Sequence, residues 1–302
     1  MKTQRVLLQV PVGLKRKVLE LADKMDGEVI ISGEACYGAC DVRVSDAKQL
    51  KVDKIVHFGH TKFMDLDFPI DFVEVKEDYD PEAVLEKDFE KIKDFKTIGL
   101  VSSLQFTNSI DKAKGFLENK GFKVEVDEGR DGWRVMHAGQ ILGCDVIAGR
   151  TIEKKVDAFL FIGTGKFHPL GLAMETEKPV FVLDAERNEI LNMDKFKKQF
   201  LKQKYTAIGL AKHAKTFGIL ISTKPGQSNI EYAISLKKRL EKNGKKAYLI
   251  AFDEIRAEKL DGLNLDAYVN TACPRIGTDD RLLYKKPILN PDEVNEILQT
   301  ES

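Results

Sequence analysis

The chain has 302 residues, 48 Lys and Arg against 48 Asp and Glu, and 43% apolar residues. That profile excludes a disordered, collagenous or coiled-coil chain, and zero formal charge excludes a global positive field for nucleic acid or an anionic membrane. No apolar run approaches the roughly 18 to 20 residues that span a bilayer, and the N-terminus lacks a signal-peptide h-region, so a cytoplasmic protein with no membrane or direct nucleic-acid partner is expected.

Arg5 to Val10 reads as a strand, Leu14, Val18, Leu21, Ala22 and Met25 mark one helical face, and Glu28 to Ser32 reads as the next strand. Together they predict a βαβ unit. Short β-rich runs alternate with amphipathic stretches along the rest of the chain, the pattern of an α/β fold with mainly parallel sheets. Gln9, Pro11, Gly13 and Leu14 fall on the loop at the carboxyl end of the first strand, where such folds place ligands; Pro11 and Gly13 also suit a plain turn.

Internal repetition is the most informative feature. Cys40-Asp41-Val42 recurs as Cys144-Asp145-Val146, Val52-Asp53 as Val156-Asp157, and Gly59-x-x-Lys62-Phe63 as Gly163-x-x-Lys166-Phe167. Each pair is separated by about 104 positions, so the stretch duplicates without an insertion. Lys96-Thr97-Ile98-Gly99-Leu100-Val101 likewise pairs with Lys215-Thr216-Phe217-Gly218-Ile219-Leu220, each strand feeding a helix that ends near Gly121 or Gly244. Three related α/β domains are expected, 1–93, 94–204 and 205–302, with boundaries near the charged stretches Glu86 to Asp94 and Lys195 to Lys204. The third unit departs in one respect: Cys273 follows the strand that matches Val156-Asp157-Ala158-Phe159-Leu160, whereas Cys40 and Cys144 precede theirs.

In a reducing compartment the four cysteines, Cys36, Cys40, Cys144 and Cys273, read as ligands, nucleophiles or core residues. No CxxC pair exists, and Cys36 with Cys40 alone makes a poor zinc site. Spacing leaves two readings open: incidental buried cysteines, or one thiolate from each domain gathered at an interface. Gly163-Thr164-Gly165 follows the apolar strand Ala158 to Ile162 and suits either a turn or close approach to a polar ligand. Asp41 and Asp145 read as helix caps or orienters of backbone amides, Trp133 as a core residue, and the Lys195 to Lys204 and Ser235 to Lys246 helices as solvated faces.

Five motifs carry a family resemblance: Gln9-Val10-Pro11-Val12-Gly13-Leu14, Tyr37-Gly38-Ala39-Cys40-Asp41, Gly139-Gln140-Ile141-Leu142-Gly143-Cys144, Gly163-Thr164-Gly165-Lys166-Phe167-His168-Pro169-Leu170-Gly171 and Ala272-Cys273-Pro274-Arg275-Ile276. Together, and in this order, the chain resembles the archaeal radical enzymes of diphthamide synthesis. The resemblance implies three homologous α/β domains in a pseudo-three-fold arrangement around a central iron–sulfur site. It implies that Cys40, Cys144 and Cys273 bind a 4Fe-4S cluster whose open iron faces S-adenosylmethionine, with Cys36 outside the set. In this family the reduced cluster cleaves the sulfonium to a 3-amino-3-carboxypropyl radical, which adds to a histidine imidazole carbon of translation elongation factor 2. Gln9, Pro11, Gly13, Leu14, Gly163, Gly165, His168 and Arg275 are the implied S-adenosylmethionine contacts. His168 serves equally as a structural hydrogen-bond partner, and Arg275 as a surface ion pair. An electron donor, elongation factor 2 and a second copy in a homodimer are the implied partners.

Two other readings compete. An enzyme resembling quinolinate synthase shares three similar domains and an open iron but not the local motifs, and a non-catalytic partner subunit would not require all three matching cysteines.

Overall fold

The computed structural model describes residues 3–130 and 134–298; Trp133 lies outside the described residues. The chain divides into two compact units, Met1–Asp194 and Lys195–Ser302.

The first unit holds two sheets. One comprises β1 (Arg5–Gln9), β2 (Glu28–Ile31), β3 (Lys54–Phe58) and β4 (Ile70–Val73), in the order β2-β1-β3-β4 and all parallel. The other comprises β5 (Thr97–Ser102), β6 (Lys123–Glu125), β7 (Ala158–Gly163), β8 (Val180–Asp184) and β9 (Glu189–Asn192), in the order β6-β5-β7-β8-β9, with only β9 antiparallel. Helices α1 (Val18–Asp23), α2 (Val44–Gln49), α3 (Glu82–Lys87), α4 (Ser109–Asn119), α5 (Ile147–Ile152) and α6 (Phe167–Glu175) join them. The second unit carries α7 (Asp194–Lys212), α8 (Ile230–Lys242), α9 (Val294–Leu298) and a parallel sheet of β10 (Thr216–Ser222), β11 (Lys246–Phe252), β12 (Ala267–Asn270) and β13 (Ile288–Leu289), in the order β11-β10-β12-β13. The fold is α/β with mainly parallel sheets.

The first predicted βαβ unit is present, with β1 and β2 parallel. Its helix starts as a tight turn over Val12–Lys17 before α1. Two repeated sequence features acquire a physical cause. The aspartate before the third strand of each sheet clamps the start of the first: Asp53 accepts the Arg5 N–H at 2.7 Å, Asp157 those of Lys96 and Thr97 at 3.0 and 2.8 Å, and Asp266 those of Lys215 and Thr216 at 3.0 and 2.9 Å. The paired glycines answer a volume problem. Gly99 lies opposite Phe159 and Gly218 opposite Tyr268, where a Cβ would sit 2.8 Å from the ring in each case. The same position in the first sheet pairs Leu7 with Ile55, two aliphatic side chains where the other sheets set one ring against a glycine. Gly121 and Gly244 end α4 and α8 with φ of 90° and 73°, the left-handed conformation a helix stop favours.

The charged stretches are not linkers. Val84, Leu85 and Ile92 are buried in the core under β5 and β7, so α3 belongs with the second sheet. Position 204 falls inside α7, which turns Ala207, Ile208 and Ala211 into the core of the second unit. Their charge reflects a solvated face on a helix whose other side packs, as amphipathic periodicity requires.

Candidate functional site

Gln9 and Gly163 end β1 and β7, and Pro11, Gly13, Leu14, Cys40, Cys144, Gly165, His168, Cys273 and Arg275 follow the carboxyl end of a parallel strand of their own sheet, where backbone groups are no longer consumed by the ladder. Three loops carry the cysteines, and each is tied down by a polar side chain, buried for the Cys40 and Cys273 loops and half-buried for the Cys144 loop.

The Cys40 loop follows β2. Cys40 is half-buried on a short turn, Ala39–Asp41, and a Cβ at Gly38 would lie 3.4 Å from its Sγ, so glycine leaves open the space beside the sulfur. Gln9 holds this loop from beneath. It is 1% exposed; its Nε2 donates to the Asp41 carbonyl at 2.6 Å and its Oε1 accepts the Arg43 N–H at 3.2 Å. Gln9 therefore supports the Cys40 loop, while Pro11, Gly13 and Leu14 form the more accessible turn after β1. Pro11 is backed by Gly59, where a Cβ would come within 2.9 Å of its ring.

The Cys144 loop is a tight turn closed by reciprocal backbone hydrogen bonds between Leu142 and Asp145, at 2.8 and 3.2 Å, with Gly143 and exposed Cys144 at its tip. Asp145 accepts the Ile147 N–H at the start of α5, the amide-orienting role read for it from sequence. The Gly163–Gly165 motif bends the chain from β7 into α6, which presses against this tip. His168 Nδ1 accepts the Gly143 N–H at 2.9 Å, which fixes the imidazole with its proton on Nε2. A Cβ at Gly171 would lie 2.6 Å from the Gly143 carbonyl oxygen, and one at Gly143 would strike the Phe167 ring. The sequence motifs around His168 and Cys144 are thus two sides of one contact.

In the second unit, half-buried Cys273 caps a short turn, Pro274–Gly277. Asn270, the last residue of β12 and 1% exposed, donates to the Cys273 carbonyl at 2.9 Å and accepts the Ala272 N–H at 3.1 Å. Arg281 Nε donates to the Gly277 carbonyl at 2.7 Å, and its guanidinium pairs with Glu293 at 2.6 Å; both side chains are buried. Glu293 and Asn290 form a capping box, the Asn-x-x-Glu signature legible in the sequence. Arg275 extends from this turn, its side chain about half exposed and 3.8 Å from Asp279.

Sequence reasoning missed Asn270, the Arg281–Glu293 pair and the histidines His57 and His60. His57 Nε2 and His60 Nδ1 lie 2.9 Å apart, and burial holds both imidazoles well below their ordinary pKa, to about 3 and about 4 respectively. The signal was the His-x-x-His spacing at the end of β3. No helix among the described residues is long and apolar enough to cross a membrane.

The family described as "Putative diphthamide synthesis protein" matches residues 10–302. The 2-(3-amino-3-carboxypropyl)histidine synthase of Pyrococcus horikoshii is 36% identical over 98% of this chain and 86% of its own, and that of Methanocaldococcus jannaschii is 30% identical over 98% and 84%. Subunit 1 of the Saccharomyces cerevisiae synthase is 28% identical over 99% and 72%. The crystal structure of Dph2 from Pyrococcus horikoshii with a 4Fe-4S cluster superposes with a TM-score of 0.89 at 34% identity, covering 99% of this chain and 87% of that one. Sequence and fold agree over nearly the whole length, and this chain belongs to the diphthamide synthesis protein family.

Proposed function

We propose that this chain is a 2-(3-amino-3-carboxypropyl)histidine synthase, catalysing the first step of diphthamide biosynthesis: transfer of a 3-amino-3-carboxypropyl group from S-adenosylmethionine to an imidazole carbon of a histidine in translation elongation factor 2. The observation that carries it is the set of three half-buried or exposed cysteines, each on a carboxyl-end loop braced by a polar side chain: Gln9 for Cys40, His168 for Cys144 and Asn270 for Cys273.

The donor set fits a cluster. Thiolates are the usual iron–sulfur ligands, and all four cysteines stand outside any disulfide among the described residues. Cys40, Cys144 and Cys273 would hold a 4Fe-4S cluster, leaving one iron without a protein ligand. When bound, it supplies the electron that breaks the sulfonium bond to the methionine γ-carbon.

The chain's own residues do the positioning. Gln9, His168 and Asn270 consume loop carbonyls and amides that would otherwise be solvated, so the thiols are held without side-chain freedom in their supports. Pro11, Gly13 and Leu14 after β1, and Gly163 and Gly165 after β7, offer backbone surface for S-adenosylmethionine. Arg275, on an accessible turn, would meet its carboxylate by bidentate contact, exchanging the long Asp279 pairing. Presence of all three cysteines supports a catalytic chain over a non-catalytic subunit. A division into three α/β domains is supported by the thrice-repeated strand order, with α3 going to the second and α7 to the third, and a cytoplasmic homodimer served by an electron donor completes the reading.

The test is anaerobic reconstitution with iron and sulfide, followed by dithionite and S-adenosylmethionine. Methylthioadenosine with a four-carbon amino-acid fragment is expected; deoxyadenosine, or no cleavage by verified iron-loaded protein, would overturn the proposal.

A further inference from the structure

Cys36 is the cysteine that the cluster leaves over, yet it is the most deeply buried of the four, at 2% exposure. Its Sγ, a ring nitrogen of His57 and a ring nitrogen of His60 all lie within 4.8 Å of one another. We propose that these three side chains form a second metal site, separate from the cluster, that takes a zinc-class divalent cation through one thiolate and two imidazoles. One sulfur and two nitrogens are a borderline-soft donor set of the kind zinc selects, with water as the fourth tetrahedral ligand.

The second shell is already built, and it fixes which nitrogen faces the metal. Gln9 Nε2 donates to a carbonyl and Gln9 Oε1 accepts a backbone N–H, so its amide has one orientation. His57 Nδ1 lies 3.3 Å from that same Oε1 and must therefore carry the ring proton. Nε2 of His57 is then the lone-pair nitrogen, and it is the atom that faces His60. A metal-binding histidine typically donates its other N–H to a fixed acceptor in this way. In the metal-free chain His60 Nδ1–H then donates to His57 Nε2; for the cation to take both nitrogens, that proton would move to His60 Nε2, which keeps both imidazoles neutral.

The site would tie the end of β3 to the segment leading into Cys40, because Cys36 stands four residues before Cys40 and Gln9 contacts both His57 and the Cys40 loop. Its role is structural, an anchor for one of the cysteine loops.

The experiment uses the full chain with Cys40, Cys144 and Cys273 replaced by Ala, so that only Cys36 can supply sulfur, and titrates it with Co²⁺. Binding of about one cobalt per chain is expected, with a sulfur-to-cobalt charge-transfer band and tetrahedral visible bands that Zn²⁺ displaces. Adding Cys36→Ser should abolish the charge-transfer band, and His57→Gln or His60→Gln should weaken binding by about tenfold or more. Absence of stoichiometric cobalt, or a band that survives Cys36→Ser, would overturn the proposal. Should the triple variant fail to fold, elemental analysis of the cluster-loaded wild-type chain decides: zinc near one per chain, lost in Cys36→Ser while iron stays, supports the site, and zinc that is absent or unaffected by Cys36→Ser refutes it. Neither readout depends on cleavage of S-adenosylmethionine.

Discussion

Replacing Glu293 by Gln strands a buried cation, replacing Arg281 by Met strands a buried acid, and the two losses should respond differently to pH. The pair is closed at 2.6 Å with side-chain exposures of 4% and 2%, so removing either partner is expected to cost about 3–5 kcal/mol. Arg281 cannot shed its proton in any accessible range, so the Glu293→Gln penalty should persist from pH 5 to pH 8. Glu293 can take one up. Burial already holds its carboxyl above the usual carboxylate range, against the opposing pull of Arg281 and the Asn290 N–H, and removing Arg281 raises it further. A carboxyl raised in the folded state adds stability below its unfolded pKa of about 4.3 and loses it as pH rises through the folded value, at up to about 1.4 kcal/mol per pH unit. Arg281→Met should therefore cost least near pH 5 and most near pH 8. Urea unfolding of the full-length variants at both pH values, followed by circular dichroism, measures this. Parallel pH dependence in the two variants, or a cost under about 1 kcal/mol in both, would refute the reasoning.

Three further outcomes are expected. Cys144→Ala should lose the iron–sulfur absorbance after reconstitution and Cys36→Ala should keep it; the reverse result means the ligand assignment is wrong. Gly171→Ala drives a Cβ to 2.6 Å from the Gly143 carbonyl oxygen, so it should destabilise by about 1–3 kcal/mol and reduce iron loading through the Cys144 turn; unchanged urea midpoint and iron content would contradict the packing described. The Asp157 and Asp266 carboxyls are held below their ordinary pKa by the backbone and side-chain donors that start β5 and β10, so their contribution is present above the unfolded value and lost as pH falls below about 4. An Asp157→Asn, Asp266→Asn variant should show a flatter acid-unfolding limb than the parent chain, read by circular dichroism.

The repeats and strands were legible because they rest on local rules. Val52-Asp53, Val156-Asp157 and Leu265-Asp266 repeat because each aspartate performs the same clamp, and the strands read as apolar runs because parallel sheets bury both faces. The cysteine loops read out through motif resemblance, and of their supports only His168 was read as a hydrogen-bond partner. Gln9 reads as a ligand contact in sequence because an amide before Pro-x-Gly says nothing of which way it faces; only the return of the chain at Asp41 and Arg43 shows it turned inward. Arg281 was missed for the same reason, since Glu293 lies across a loop with no fixed spacing, and Asn270 because a lone Asn at a strand end does not say which backbone groups of the following turn it will take. The boundaries at 93 and 204 followed charge, which reports the solvated face of α3 and α7 and is silent about the face that packs.

The shared volume between the first and third strands of each sheet has a consequence for exchanging parts of this molecule. Leu7 with Ile55 fills that position with two aliphatic side chains, Gly99 with Phe159 and Gly218 with Tyr268 fill it with one ring, and a half of the first kind cannot be mixed with a half of the second. Grafting β5 into the first sheet without β7 would set glycine against isoleucine and leave a hole; grafting β1 into the second without β3 would drive leucine into a phenylalanine ring. Strands β1 and β3, or their counterparts, travel only as a couple, although α2 and the Cys40 loop separate them in the chain. A chimera that exchanges either strand of such a pair between repeats must therefore carry the other with it, which makes the unit of inheritance the pair of strands and not the motif.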